Sequence, residues 1–392
     1  MFRSHAAKPY GKSYHEPAPI PGSLARRRFL TLLAFFASVS VAGITGCRRV
    51  TSSEAAAPST DPNTVTLYSS VDADLLEPLI TKLARTTGIS IKTVGDTEAT
   101  KSTGLLTRII TESQQPQADV FWSSEPLGLA ELANRGLLVP GLAVPDPRWP
   151  TNLVGENSTW IGFAIRLRQI VHTTNGPGGR LIGRKPPATL EDLTNPSWQG
   201  RIGIARPQFG TTRGHMAWLL MLWGPQRFEH WLKKLAENGA RLLDGNSMVV
   251  RSIGTGLIDV GLTDSDDVLG GIAEGWAVQG VSAPAAVDGQ PENGCLAVPN
   301  AIGLIANRPF TPATQILLAW VLSGIAEEAM AASLGANIPV RDFKGGRQTA
   351  GDAPPVSSSA VAIPAGLVFP DWRQVHQHAE SAISLCERHL RG

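Results

Sequence analysis

The sequence predicts an α/β protein of two lobes, each a mostly parallel sheet flanked by helices. Length is the first of three observations behind this: 392 residues, 42% hydrophobic and 17% charged, suffice for two packed units at about 100 to 200 residues per domain. Alternation is the second. Short runs of strand-forming residues alternate with segments of helical apolar spacing, once from Thr64 and again from Trp160, which is the pattern of parallel strands joined by helical crossovers. Cysteine usage is the third, since Cys47, Cys295 and Cys386 are too few for a disulfide scaffold, and the composition argues against disorder.

Residues 1–46 carry Arg3, Lys8, Lys12, Arg26, Arg27 and Arg28 against Glu16, so within a net charge of +2 the remaining chain is acidic. No basic run is left to neutralise a row of phosphates, and nucleic acid is a poor partner. Arg26-Arg27-Arg28, the apolar Phe29 to Ile44, and then Thr45-Gly46-Cys47 follow in the order of a secretory signal. The arginines followed by Phe29-Leu30 resemble a twin-arginine export pattern. Ile44-Thr45-Gly46-Cys47 resembles a bacterial lipobox, which would make Cys47 the lipid-bearing first residue of the mature chain. The competing reading is an uncleaved anchor, although the apolar run is shorter than the roughly 20 residues that span a bilayer. Residues 47–63, rich in Ser, Ala, Pro and Thr, read as a flexible tether.

Val65 to Tyr68 reads as the first strand, Ala73 to Thr87 as a helix closed by Gly88, Ile89 to Val94 as a strand, Ser102 to Glu112 as a helix and Ala118 to Trp122 as a third strand. A second series follows: strand Trp160 to His172, a helical turn Leu190 to Leu193, strand Arg201 to Ala205, helices Thr212 to Trp223, Phe228 to Asn238 and Asn246 to Gly254, and strand Val260 to Thr263. Ala297 to Ala306 reads as a returning strand, Pro312 to Leu334 as one long helix, 345–362 as loop and Asp371 to Leu390 as a terminal helix. The implied division is 64–163 for the first part of lobe one, 164–297 for lobe two, and 298–392 for the return to lobe one with the C-terminal helices.

Tyr68-Ser69-Ser70, Ala118 to Ser124, Trp198-Gln199-Gly200-Arg201-Ile202, Ile258 to Asp264 and Ala336 to Arg341 occur in an order that resembles the periplasmic ferric-iron-binding proteins. These are type II substrate-binding components of ABC importers, and the resemblance covers roughly residues 64 to 345. It implies a two-lobed binding protein with its ligand between the lobes and a membrane permease as partner. In the iron proteins, two adjacent tyrosines stand at the positions of Asp266 and Asp267. The only tyrosines here are Tyr10, Tyr14 and Tyr68, so a double-tyrosine iron site is impossible. Thr263-Asp264-Ser265-Asp266-Asp267 looks like relatives that bind phosphosugars or phosphonates.

Within that fold, Ser69, Ser70, Ser123 and Ser124 end strands and open helices, where hydroxyls and exposed amides favour anions, although a serine there is often only a cap. Gly210-Thr211-Thr212 opens the main helix of lobe two. Arg166 and Arg168 alternate along a strand and share a face, where one can pair with a phosphate, phosphonate or carboxylate. Asp264, Asp266 and Asp267 form the densest carboxylate cluster, suited to a hard cation, sugar hydroxyls or an amine. His215 reads as structural. Cys295 and Cys386 are either paired or free thiols.

The expected function is extracytoplasmic carriage of a small polar or anionic solute by a periplasmic, lipid-anchored monomer. No cofactor is expected, and ferric iron enters only as a candidate ligand without paired tyrosines. The alternative is a secreted hydrolase using the Asp264–Asp267 cluster as acid and base. The lipobox has a direct test. Cys47→Ser should abolish incorporation of radiolabelled fatty acid, and a variant labelled like the parent would refute that reading.

Overall fold

The computed structural model describes residues 61–96, 103–174, 185–285, 294–342 and 367–390. The export signal, Cys47, most of the tether and the 345–362 segment lie outside these residues. In lobe one, β1 (Thr64–Ser69) runs between β2 (Ser90–Gly95) and β3 (Val120–Ser123), parallel to both. The crossovers are α1 (Ala73–Thr87) and α2 (Thr103–Thr111), and α3 (Leu127–Asn134) follows β3. α1 stops at Gly88, whose φ of 77° suits a residue without Cβ and whose N–H bonds to Ala84 O at 2.9 Å.

Two long antiparallel strands, β4 (Trp160–Thr173) and β9 (Ala297–Leu304), join the lobes. β9 pairs with β3 and with Trp160 to Leu167 of β4. Beyond that, Arg168 to His172 pair with β7 (Val260–Asp264), and Gln169 to Thr173 pair with β8 (Val278–Ser282). Lobe two is completed by β5 (Ile202–Ala205), parallel to β6 (Arg241–Leu243) and to β7. The strand order is β2-β1-β3-β9-β4-β7-β5-β6, with β8 beside β4. Parallel pairing is thus confined to the outer parts of the sheet. A chain that leaves one lobe on β4 and returns on β9 must run in opposite directions at the crossing.

The helices of lobe two are α4 (Gly210–Glu237), α5 (Asn246–Gly254) and α6 (Ser265–Ala273). α4 breaks at Gly224, with φ 72° just before Pro225, so the two segments expected there share one element. The expected helix from Pro312 to Leu334 is instead α7 (Pro312–Leu322) and α8 (Ile325–Ala331), parted at Gly324 with φ 93°. The terminal helix likewise divides into α9 (Trp372–Gln377) and α10 (Ala379–His389). The short strands β6 and β8 were not anticipated, because three and five residues carry little periodicity, whereas α3 is the helix that Ser123 and Ser124 were expected to open.

β4 shifts register between Phe163 and Ile165, where Ala164 has φ 46°. Three neighbours hold this bulge. Ala164 N donates to Glu327 Oε1 at 2.8 Å, its carbonyl accepts from Asn300 Nδ2 at 2.7 Å, and Ile165 exchanges backbone bonds with Ile338 at 2.7 and 2.8 Å. The buried Glu327 carboxylate also accepts Val340 N at 2.7 Å and Arg341 Nε at 3.2 Å. Replacing it by alanine leaves the Ala164 and Val340 amides buried without an acceptor, at about 1 to 3 kcal/mol each. Glu327→Ala should therefore lower unfolding stability by about 2 to 5 kcal/mol in urea, with little change in the slope. A loss below about 0.5 kcal/mol would show that the carboxylate does not hold the bulge.

Candidate functional site

The C-terminal ends of β5, β6 and β7 converge with those of lobe one on a cleft beside β4. Lobe two's contribution rests on a pair set deep behind the surface. Arg168 and Asp264 stand opposite each other in the β4–β7 register, and Arg168 Nη1 lies 2.8 Å from Asp264 Oδ1 with both side chains buried. The other Asp264 oxygen accepts Thr211 Oγ1 at 2.5 Å and Asn246 Nδ2 at 3.0 Å. Arg168 also donates to Thr211 Oγ1, Asn246 Oδ1 and His215 Nδ1 at 3.1, 3.3 and 3.3 Å. Burial pushes the Asp264 carboxyl up, but Arg168, Arg166 and the Thr211 hydroxyl outweigh it and hold the group below its usual value. His215 is buried against Trp218 and kept neutral, first by burial and then by Arg168.

This network fixes three helix N-termini at once, because Thr211 opens α4, Asn246 opens α5 and Asp264 precedes α6. Neither α4 nor α5 has an acidic residue in its first turn, so their terminal amides retain the partial positive charge that attracts anions. The cleft they face is lined by Asp72 and Ser124 from lobe one, by Arg166, and by Arg206, Thr211, Thr212, Asn246, Asp264, Asp266 and Asp267.

Arg166 spans the opening. Its Nη2 donates to the Ser124 carbonyl of lobe one and its Nη1 lies 3.2 Å from Asp266 Oδ2 of lobe two. Asp266, Asp264, Asp72 and Asp267 together raise the Arg166 pKa, more than offsetting burial. Asp267 accepts from Thr263 Oγ1 at 3.1 Å, and carboxylate oxygens of Asp264, Asp266 and Asp267 lie within 4.8 Å of one another. Tyr68 is buried elsewhere. Its hydroxyl donates to Glu112 at 3.0 Å, and burial followed by that bond pushes its pKa to about 12.

The serine pairs serve the two strand ends of lobe one. Ser69 Oγ accepts Val71 N and Ser123 Oγ accepts Glu125 N, each at 3.2 Å, within their own turns. Ser70 Oγ accepts Ser124 N at 2.9 Å and lies 3.4 and 3.3 Å from the Ser123 and Ser124 hydroxyls, tying the two turns together. Ser124, Arg166, Thr211, Thr212, Asp264, Asp266 and Asp267 thus meet at one cleft, with Ser69, Ser70 and Ser123 supporting its wall. Asp72, Arg206 and Asn246 were not singled out in the sequence. Their positions at the ends of β1, β5 and β6 were the available signal, since ligands of open α/β sheets bind at the carboxyl ends of strands. Cys295 and Cys386 are free, buried thiols, with pKa values near 12 because of burial.

The family model described as bacterial extracellular solute-binding protein matches residues 65–333. The major ferric iron-binding protein of Neisseria meningitidis is 26% identical over 203 residues, 51% of this chain and 58% of that protein. Iron uptake protein A1 of Synechocystis is 25% identical over 248 residues, 62% of this chain and 66% of that protein. The alignment therefore spans little more than half the length of the neisserial relative. In fold, the chain resembles iron-bound HitA from Pseudomonas aeruginosa, with a TM-score of 0.67 and 21% identity over 84% of this chain and 99% of that one. The Trichodesmium protein solved with iron and citrate gives a TM-score of 0.64 at 20% identity, over 83% of this chain and 99% of that one. The two-lobed architecture is that of type II periplasmic binding proteins, and the chain belongs to the bacterial extracellular solute-binding protein family.

Proposed function

We propose that this chain is the extracytoplasmic binding component of an ABC importer, acting in the periplasm or cell envelope as a monomer anchored through lipid on Cys47. In this reading it closes its lobes over a small polar or anionic solute and passes it to a permease. The observation that carries the reading is the bridging position of Arg166, bonded to the Ser124 carbonyl on one side of the cleft and to Asp266 on the other. A group that both lobes hold at once couples occupancy to closure.

The charges around Arg166 restrict the solute. An anionic head suits the amide ends of α4 and α5 with Thr211 and Thr212, but Asp72, Asp266 and Asp267 in the same cleft repel a purely anionic molecule. The solute therefore combines an acidic head with hydroxyls, an amine or an oxygen-bound cation. A phosphosugar, an aminoalkyl phosphonate and a ferric ion carried with its own anion all meet this description. The relatives named for ferric iron favour the last, and carboxylates are fit donors for such a hard cation. No observation favours the hydrolase reading. An acid catalyst needs a carboxyl held protonated, whereas Asp264 is held below its usual pKa.

A thermal-shift screen with ferric citrate, a sugar phosphate and an aminoalkyl phosphonate identifies the class, because a ligand of the folded state raises Tm. With that solute, calorimetry should show Asp266→Ala weakening binding by roughly ten- to a hundredfold, the equivalent of about 1.5 to 3 kcal/mol. Affinity within twofold for both Asp266→Ala and Asp267→Ala would remove the carboxylates from the site. If ferric citrate binds, its complex should lack the visible charge-transfer band of phenolate ligation, since Tyr68 is bonded to Glu112 outside the cleft. A red or salmon iron-loaded protein would contradict that geometry.

A further inference from the structure

We propose that the C-terminal helices α9 and α10 form a clasp that travels with lobe two and restrains opening of the cleft in the unliganded protein. The clasp touches both lobes, but by different chemistry.

Towards lobe two, the contact is long and largely apolar. α10 packs along α4 with Ala379, Ala382, Cys386 and Leu390 buried, and the Trp372 ring lies so close to Gly214 that a Cβ there would sit 3.1 Å from it. Gln208 Nε2 to Glu387 Oε1 at 2.9 Å and His389 Nε2 to Glu229 Oε1 at 3.0 Å add polar links at the edges.

Towards lobe one, the contact is shorter, with polar links around a small apolar centre. Arg373 Nη1 lies 3.1 Å from Glu156 Oε2, and His376 meets Asn134 at 3.3 Å and Glu131 at 3.6 Å, while the segment leading into α9 is tied down separately, by the Leu296–Val368 bridge and by Asn152 Nδ2 donating to Phe369 O at 2.6 Å. Glu131, on α3, also takes Arg213 of α4 at 3.2 Å. It is the point where lobe one, lobe two and the clasp meet. Its pKa is drawn down to about 2, first by His376 and then by Arg213 and Arg135, against the effect of burial. Trp372 and Val375 belong to the same buried cluster as Leu129 of α3 and Met216 of α4, so one apolar core runs from lobe to lobe through α9.

Rotation about β4 and β9 cannot preserve both sets of contacts. The longer apolar seam on α4 is the costlier to break, because its cost scales with the apolar area exposed. The seam on lobe one is therefore the one that yields, and opening must break the contacts of Arg373 with Glu156 and of His376 with Glu131 and Asn134, and uncover part of Trp372. A restraint of this kind shifts the open–closed equilibrium without contacting any solute, and it holds whichever solute the cleft carries.

Spin labels at Thr81→Cys on α1 and Met248→Cys on α5 report the distance between lobes in unliganded protein. The parent should give one narrow distribution. Trp372→Ala combined with Val375→Ala should broaden it towards longer distances, provided circular dichroism shows the native fold. Glu156→Lys, which opposes two cations at half-exposed positions and leaves the core intact, should act in the same direction. Adding Arg373→Glu to Glu156→Lys should restore the narrow distribution. The clasp is refuted if the parent is already as broad as these variants. It is equally refuted if Glu156→Lys leaves the distribution unchanged, whether or not the Trp372 and Val375 variant folds.

Discussion

One buried ion pair organises the half of the cleft that lobe two provides. Arg168 and Asp264 face each other across β4 and β7 at 2.8 Å, and Arg168 Nη1 and the second Asp264 oxygen both also bond Thr211 and Asn246 in the first turns of α4 and α5. Removing one member of such a pair leaves an uncompensated buried charge and typically costs about 3 to 5 kcal/mol. The pair thus does more than neutralise itself. Thr211 and Asn246 are oriented by it, so the amide ends of three helices stay directed at one small volume.

Under the proposed function, that arrangement is what lets a cleft rich in carboxylate take an acidic solute. Asp264 is matched by Arg168 and Asp266 by Arg166, while the first turns of α4 and α5 carry no acid of their own. Positive potential therefore concentrates at the α4 and α5 ends, while Asp72, Asp266 and Asp267 around Arg166 supply the negative charge. A solute divided in charge along its length matches both regions. At the bulge near Ala164, the buried Glu327 carboxylate holds the joining strand in a fixed conformation where it passes between the lobes.

Much of this was legible in the residues. The alternation of strands and helices and the clustering of Asp264, Asp266 and Asp267 depend only on local sequence. What could not be read depends on pairing at a distance. Arg166 and Arg168 looked equivalent, two residues apart on one strand. Only the antiparallel register sets Arg168 against Asp264 and leaves Arg166 between the lobes. The same holds for the serines: their position at strand ends was visible, but not that Ser70 would tie two turns together. Helix breaks at Gly324 and between α9 and α10 were hidden by apolar spacing that continues across them.

The role proposed for this chain is carriage without chemistry, by a fold that closes around one solute. Equilibrium dialysis of the purified chain against the solute that raises its Tm, followed by mass spectrometry of the recovered material, tests this most directly. One equivalent of solute per chain, recovered with its mass unchanged after prolonged incubation, is the predicted result. A solute recovered as a cleaved or otherwise altered product would contradict it.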